Sequence, residues 1–148
     1  MGVFDRVLGK KEEGPITLNQ QEAFVAVCVL AVAADGVVED AEVRRIVTNL
    51  AEKKLFRGTR VNELGVLLNN SARLIQRQGP GPVIEAARKA LSPELRETVF
   101  ALSTDLILAD GEVDPKEKRF LEEFQKTLGI DDATALKIAE VMVIKNRG

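Results

Sequence analysis

The chain predicts an all-α fold, a single bundle of about seven helices carrying two pseudo-repeated helix-turn-helix acidic corners. Three observations lead there. Apolar residues recur at three- and four-residue spacing through most of the 148 residues. Helix start and stop signals punctuate that pattern. The stretch ADGVVEDAE at residues 34–42 returns as ADGEVDPKE at residues 109–117, with one constant offset of 75. Nowhere do strict alternation, β-branched clusters and hairpin turns occur together, as strands require.

The elements follow in order. Asn19 is placed to cap a helix with Glu22 at its third position, and that helix then runs, apolar on every face, to Asp35 and Gly36. A second helix starts near Asp40, shows Val43, Ile46, Val47 and Leu50 on one side, and ends near Phe56 before Gly58. Residues 61–78 form a third, with Val61, Leu64, Leu67, Leu68, Leu74 and Ile75 as its stripe and the QGPGP segment as its stop. A shorter helix covers residues 83–91. Ser92 followed by Pro93 reads as an N-cap and a first-turn proline, opening a second apolar helix that runs to Ala109. A helix from Pro115 to about Leu128, closed by Gly129, and a last one over residues 132–145 complete the chain.

Residues 18–148 are therefore expected to be one domain, large enough for a real core. Residues 1–17 precede it. Their first nine, MGVFDRVLG, can form a short amphipathic turn with Val3, Phe4, Val7 and Leu8 on one side, ahead of the charged linker KKEEGP. Docking on the domain, disorder and weak contact with a membrane surface are all open for it. The apolar run at residues 23–34 falls well short of the roughly 20 residues a membrane span needs, and it begins too late for a signal peptide.

Composition excludes whole classes of chemistry. The chain has no histidine, so Ser-His-Asp and Cys-His catalysis, His-ligated zinc and Glu-x-x-His di-iron sites are all out of reach. Its single cysteine, Cys28, lies inside the apolar run and reads as core filler rather than a reactive thiol. A chain with one cysteine forms no internal disulfide, which suits a reducing cytoplasm. Net charge is −2, yet residues 43–90 carry ten basic against three acidic residues, +7, which leaves −9 for the remainder. That polarity marks a basic middle segment able to face an acidic partner, alongside its ordinary role as solvated helix surface. Nucleic acid is not expected, since aromatic residues do not interleave with the basic ones.

The two corners carry the remaining chemistry. Asp114, Pro115 and Glu117 make a capping box by themselves, and Glu42 can do the same behind Glu39, although glutamate is a poor cap. Capping leaves Asp35 and Asp110 unexplained, because at helix C-termini the dipole disfavours a negative charge by up to about 1 kcal/mol. Three carboxylates at one turn, twice over, also repel unless a cation offsets them. The spacing resembles the second half of an EF-hand loop: Asp-Gly, an apolar residue two positions on, an acid next, and a glutamate six after the glycine. The leading ligands are missing, since their places fall on Ala31, Ala33, Leu106 and Leu108. A cation would thus draw ligands from both corners or from water, with modest affinity and a preference for calcium, magnesium or manganese. Asp105 interrupts the second apolar helix and needs a partner, for which an arginine or a backbone cap is expected before a metal.

The paired motifs ADGVVEDAEVRRI and ADGEVDPKEKRFL, with SPELRETVFALSTDLILADG leading into the second, resemble those of the tellurite-resistance TerB family. The resemblance covers about residues 18–145. It implies a helical, cytoplasmic module tied to tellurite resistance and wider stress responses, whose metal-binding positions carry over to Asp35, Glu39, Glu42, Asp110, Asp114 and Glu117. It also implies a metal-linked binding or scaffold module working with other, partly membrane-associated, proteins; it does not imply a demonstrated enzyme, and none is expected. The family occurs in many architectures, so tellurite need not be the stress that matters here. Two functional classes remain open at this point: a divalent-cation-responsive interaction module, and a metal-independent protein-protein adaptor whose corners are only caps. Metal-assisted hydrolysis ranks third, as no general base or phosphate-cradling loop accompanies the carboxylates.

Overall fold

The computed structural model describes residues 15–109 and 111–148, and the nine-residue N-terminal turn read from the sequence lies outside them. Among the described residues the protein is all helical. Seven α-helices follow one another: α1 Gln20–Val32, α2 Asp40–Ala51, α3 Val61–Gln78, α4 Pro80–Ala90, α5 Pro93–Ile107, α6 Pro115–Leu128 and α7 Asp132–Lys145, with one 3₁₀ turn at Lys54–Phe56.

Helix α1 opens on a reciprocal capping box. Asn19 Oδ1 accepts the Glu22 N–H at 2.8 Å, and Glu22 Oε1 accepts the Asn19 N–H at 2.9 Å. From Ala23 to Ala31 every residue is buried, which is what an all-round apolar helix demands. The cover comes from α2, α3, α4 and α5, all of which pack on it. Burial stabilises each Val, Leu or Phe in this run by about 1.5–3 kcal/mol. Cys28 sits wholly inside it, and desolvation pushes its thiol from 9.0 up to about 12, so it is core filler as expected. The 3₁₀ turn brings Phe56 edge-on to Phe24, with ring centroids 5.8 Å apart, and Gln21 Nε2 donates to the Leu55 carbonyl at 2.9 Å.

Differences from the sequence reading sit at element ends. Helices α1 and α5 stop at Val32 and Ile107, short of the expected Gly36 and Ala109, because each chain turns tightly instead. The Gly36 N–H bonds the Ala33 carbonyl and the Gly111 N–H bonds the Leu108 carbonyl, both at 2.9 Å. The QGPGP segment ends α3 but also opens α4 at Pro80, three residues early, since a proline at the first helical position gives up an N–H that has no helical partner there. Val61 does not join the α3 stripe and is 66% exposed; buried Ser71 completes the stripe of Leu64, Leu68 and Ile75 instead.

The two halves share an outline, although α2 packs on α3 whereas α6 and α7 each pack on α5. Helices α1, α2 and α3 form one unit around the first corner, α5, α6 and α7 form another around the second, and α1 packs against α5 at the centre. Helix α4 bridges them, touching α1, α3 and α6. Between α5 and α7, Asp105 is held by Lys145 Nζ at 3.1 Å and by Asn146 Nδ2 at 2.8 Å. The expected arginine or backbone cap is therefore replaced by a lysine and an amide. Both come from the end of α7, a neighbour that local pattern does not reveal.

Candidate functional site: the cleft between the acidic corners

Each corner is clamped onto the third helix of its own half. Gly36 has φ +80°, and a Cβ there would lie 2.6 Å from the Ala72 carbonyl oxygen of α3. Gly111 has φ +78°, and a Cβ there would lie 2.6 Å from the Asn146 carbonyl oxygen beyond α7. Only glycine satisfies both the left-handed backbone and the close approach. In the first half the clamp is also bonded, as Gln76 Nε2 donates to the Gly36 carbonyl at 2.9 Å.

The acids have local tasks. Asp35 lies beyond the end of α1, and its Oδ1 accepts the Val37 N–H at 2.9 Å, an Asx turn that gives the carboxylate a structural reason to be there. Glu42 Oε1 accepts the Glu39 N–H at 3.3 Å at the start of α2. In the second corner the box is reciprocal: Asp114 Oδ1 accepts the Glu117 N–H at 2.8 Å and Glu117 Oε1 accepts the Asp114 N–H at 3.1 Å. Capping thus occupies one oxygen of Glu42 and one of Glu117. Among the described residues no hydrogen bond engages the other.

The tertiary fold brings these two glutamates together. Glu42 from α2 and Glu117 from α6 line one open cleft of about 370 Å³ between the corners. Its apolar floor includes Leu30 and Ala31 of α1, Leu106 and Ile107 of α5, and Phe120 of α6, which stacks on Phe124 with centroids 5.3 Å apart. Lys116 is also at the cleft, a basic neighbour that the acidic repeat concealed because Ala41 stands at its counterpart position. Arg45 Nη2 donates to the carbonyl of Leu106, a residue of the cleft lining, at 2.9 Å and ties α2 to the end of α5. A guanidinium near a helix C-terminus is a favourable partner for its last carbonyls.

Of the six acids selected from sequence, Glu42 and Glu117 line the cleft, while exposed Asp35, Glu39 and Asp114 stay at the corners outside its lining. Asp110 lies outside the described residues. Among the described residues no three acidic or cysteine side chains converge as a cation shell. Two carboxylates suit a hard cation but supply only part of the six to eight oxygens calcium takes.

An all-helical bundle of two related helix-corner-helix units, joined face to face around a shared acidic cleft, is the class this architecture defines. The family model for Tellurite resistance protein TerB matches residues 21–139, and the chain belongs to that family. No curated protein and no solved structure gives a match. No helix among the described residues is long and apolar enough to cross a membrane.

Proposed function

We propose that this protein is a tellurite-resistance-type stress-response module that takes a divalent cation at the cleft between its corners and presents its helical surface to other proteins in the cytoplasm, some of them membrane-associated. It acts by binding and not as an enzyme. The observation that carries the reading is that Glu42 and Glu117, one from each half, line the same cleft. With one oxygen of each spent on a cap, they offer a cation two carboxylate ligands, and water completes the shell. The cation would supply a charge that cancels the repulsion of the corners and stiffens the joint between halves. Lys116 at the same cleft competes for the carboxylates, which keeps affinity modest. Calcium, magnesium and manganese are the candidates, as hard ions for oxygen ligands.

The test is a calorimetric titration of chelator-stripped protein with each metal, paired with thermal melting. Binding at ten times the dissociation constant adds about 1.4 kcal/mol, or roughly a 3–6 °C rise in Tm for a domain of this size. Glu42→Gln combined with Glu117→Gln keeps the caps and should erase that rise. Absence of heat and of any Tm change in the unaltered protein at millimolar metal rules the cation out.

The metal-independent adaptor remains as the second reading, and a specific observation favours it. Asp35, Glu42, Asp114 and Glu117 each already accept a backbone N–H that justifies the side chain structurally. On that reading the basic segment of residues 43–90 is the interface, and the doubly substituted glutamine variant behaves as the unaltered protein does with or without metal.

A further inference from the structure

The acidic cleft does not end at Phe120. Leu30, Ala34 and Phe120 also line a second cavity of about 240 Å³, which runs on between α4 and α6 past Ile84, Phe124 and Thr127. Glu117, Phe120, Phe124 and Thr127 follow one another along α6 at steps of three and four residues, so they share one face of that helix, about 15 Å from first to last. The two cavities thus form one groove, carboxylate-lined at one end and mostly apolar over the rest, with exposed Glu123 at its rim.

Charge and floor together select an occupant. Glu42 and Glu117 are half-buried, and among the described residues neither makes an ion pair, although Lys116 stands at the same cleft. These three side chains leave a net charge of −1, which a single positive charge balances. Leu30, Ile84, Phe120 and Phe124 offer no ligand atom to a metal ion, so a hydrated cation leaves the apolar part of the groove in contact with water. A lysine or arginine side chain set among apolar residues satisfies both ends, with its cationic head at the carboxylates and its apolar neighbours on Phe120 and Ile84. An amphipathic helix laid in a groove presents such residues three, four and seven positions apart.

We propose that the groove between α4 and α6 docks a basic amphipathic helix of a partner protein, whose lysine or arginine is taken by Glu42 and Glu117 and whose apolar side chains cover Phe120 and Ile84. This assignment rests on the reading of those two glutamates as a cation-binding pair, and it makes the partner and a divalent cation competitors for one cleft.

An amide chemical-shift titration of the full chain tests this. The probe is a capped ten-residue peptide of alanine and glutamine with lysine at its first position and leucine at its fourth and eighth. Shifts should centre on Ala34, Ile84, Phe120 and Thr127. Glutamine in place of the peptide's lysine should weaken binding about tenfold, as should Glu42→Gln with Glu117→Gln in the protein. Gly81→Phe fills the apolar half, where a Cβ meets nothing within 4 Å, and should weaken the peptide while leaving any metal-dependent rise in Tm in place. Where calcium binds, it should displace the lysine peptide. If the metal reading alone fails, calcium gives no heat and the peptide still binds. If the docking fails, calcium gives heat while millimolar peptide leaves those amides unmoved. Equal binding of the two peptides, indifference to Gly81→Phe, or calcium and peptide bound together also overturns the proposal. So do groove shifts that follow protein concentration alone, which would give the groove to a second copy.

Discussion

Gln76 Nε2 donates to the carbonyl of Gly36 at 2.9 Å, across forty residues of sequence. The contact exists because the corner lies flat on α3, close enough that a Cβ on Gly36 would meet the Ala72 carbonyl oxygen at 2.6 Å. Gly36→Ala and Gly111→Ala should each therefore destabilise the fold by about 2–4 kcal/mol, combining left-handed strain with overpacking. Gly58→Ala is the control. It has φ +86° and nothing within 4 Å, so only the strain of about 1–2 kcal/mol applies. Urea midpoints at constant slope provide the comparison, and equal losses at all three sites would mean that the clamp contributes nothing.

Arg45 joins the halves through the carbonyl of Leu106, a residue of the cleft lining. Replacing Arg45 by methionine keeps much of the stem and removes the donor, at an expected cost of about 1–2 kcal/mol. Because the bond holds α2 to α5, any metal-dependent rise in Tm should shrink in the same variant. An undiminished rise would show that the geometry of the cleft does not depend on this tie.

The Asp105 carboxyl is mostly covered, with 16% of its side chain exposed, while Lys145 is 57% exposed. Lys145→Ala should cost under about 1 kcal/mol, as exposed members of ion pairs do. Asp105→Ala removes the acceptor for both Lys145 and Asn146 and should cost more, about 1–3 kcal/mol. Thermal melts of the two variants decide the order, and the reverse order would assign the stability to the lysine stem instead.

Cys28 gives a pH dependence with a definite sign. Burial raises its thiol from 9.0 to about 12 in the folded protein, so between those values the unfolded chain loses a proton that the folded chain keeps. Stability from this group is whole below pH 9 and falls as pH rises through the window, by up to about 1.4 kcal/mol per pH unit. Cys28→Ala should flatten that slope relative to the unaltered protein when urea midpoints are compared from pH 8.5 to 10.5. In the native protein at pH 8, a thiol reagent should react only at the rate of opening and become fast in denaturant.

Much of the fold was legible because its signals are local. Asn19 with Glu22, Ser92 before Pro93, and Asp114 with Glu117 announce helix starts from a few neighbouring residues, and each makes the hydrogen bond its type promises. Cys28 was placed correctly for the same reason, since an unbroken apolar run admits no exposed face. Local reading failed where neighbours in space set the outcome. The ends of α1 and α5 were overrun because the turns close against other helices, and Val61 was assigned to a stripe that Ser71 in fact completes.

By itself, the sequence determined the seven helices, the doubled corner and the central role of the two apolar helices, all of which follow from periodicity, capping chemistry and a constant offset. Tertiary structure alone decided that Glu42 and Glu117 share a cleft with Lys116 and that Lys145 and Asn146 answer Asp105. Periodicity states which side of a helix seeks cover, while the identity of the cover depends on how the two halves dock. That docking is set by the summed packing of residues far apart in the chain, which no short window of sequence contains.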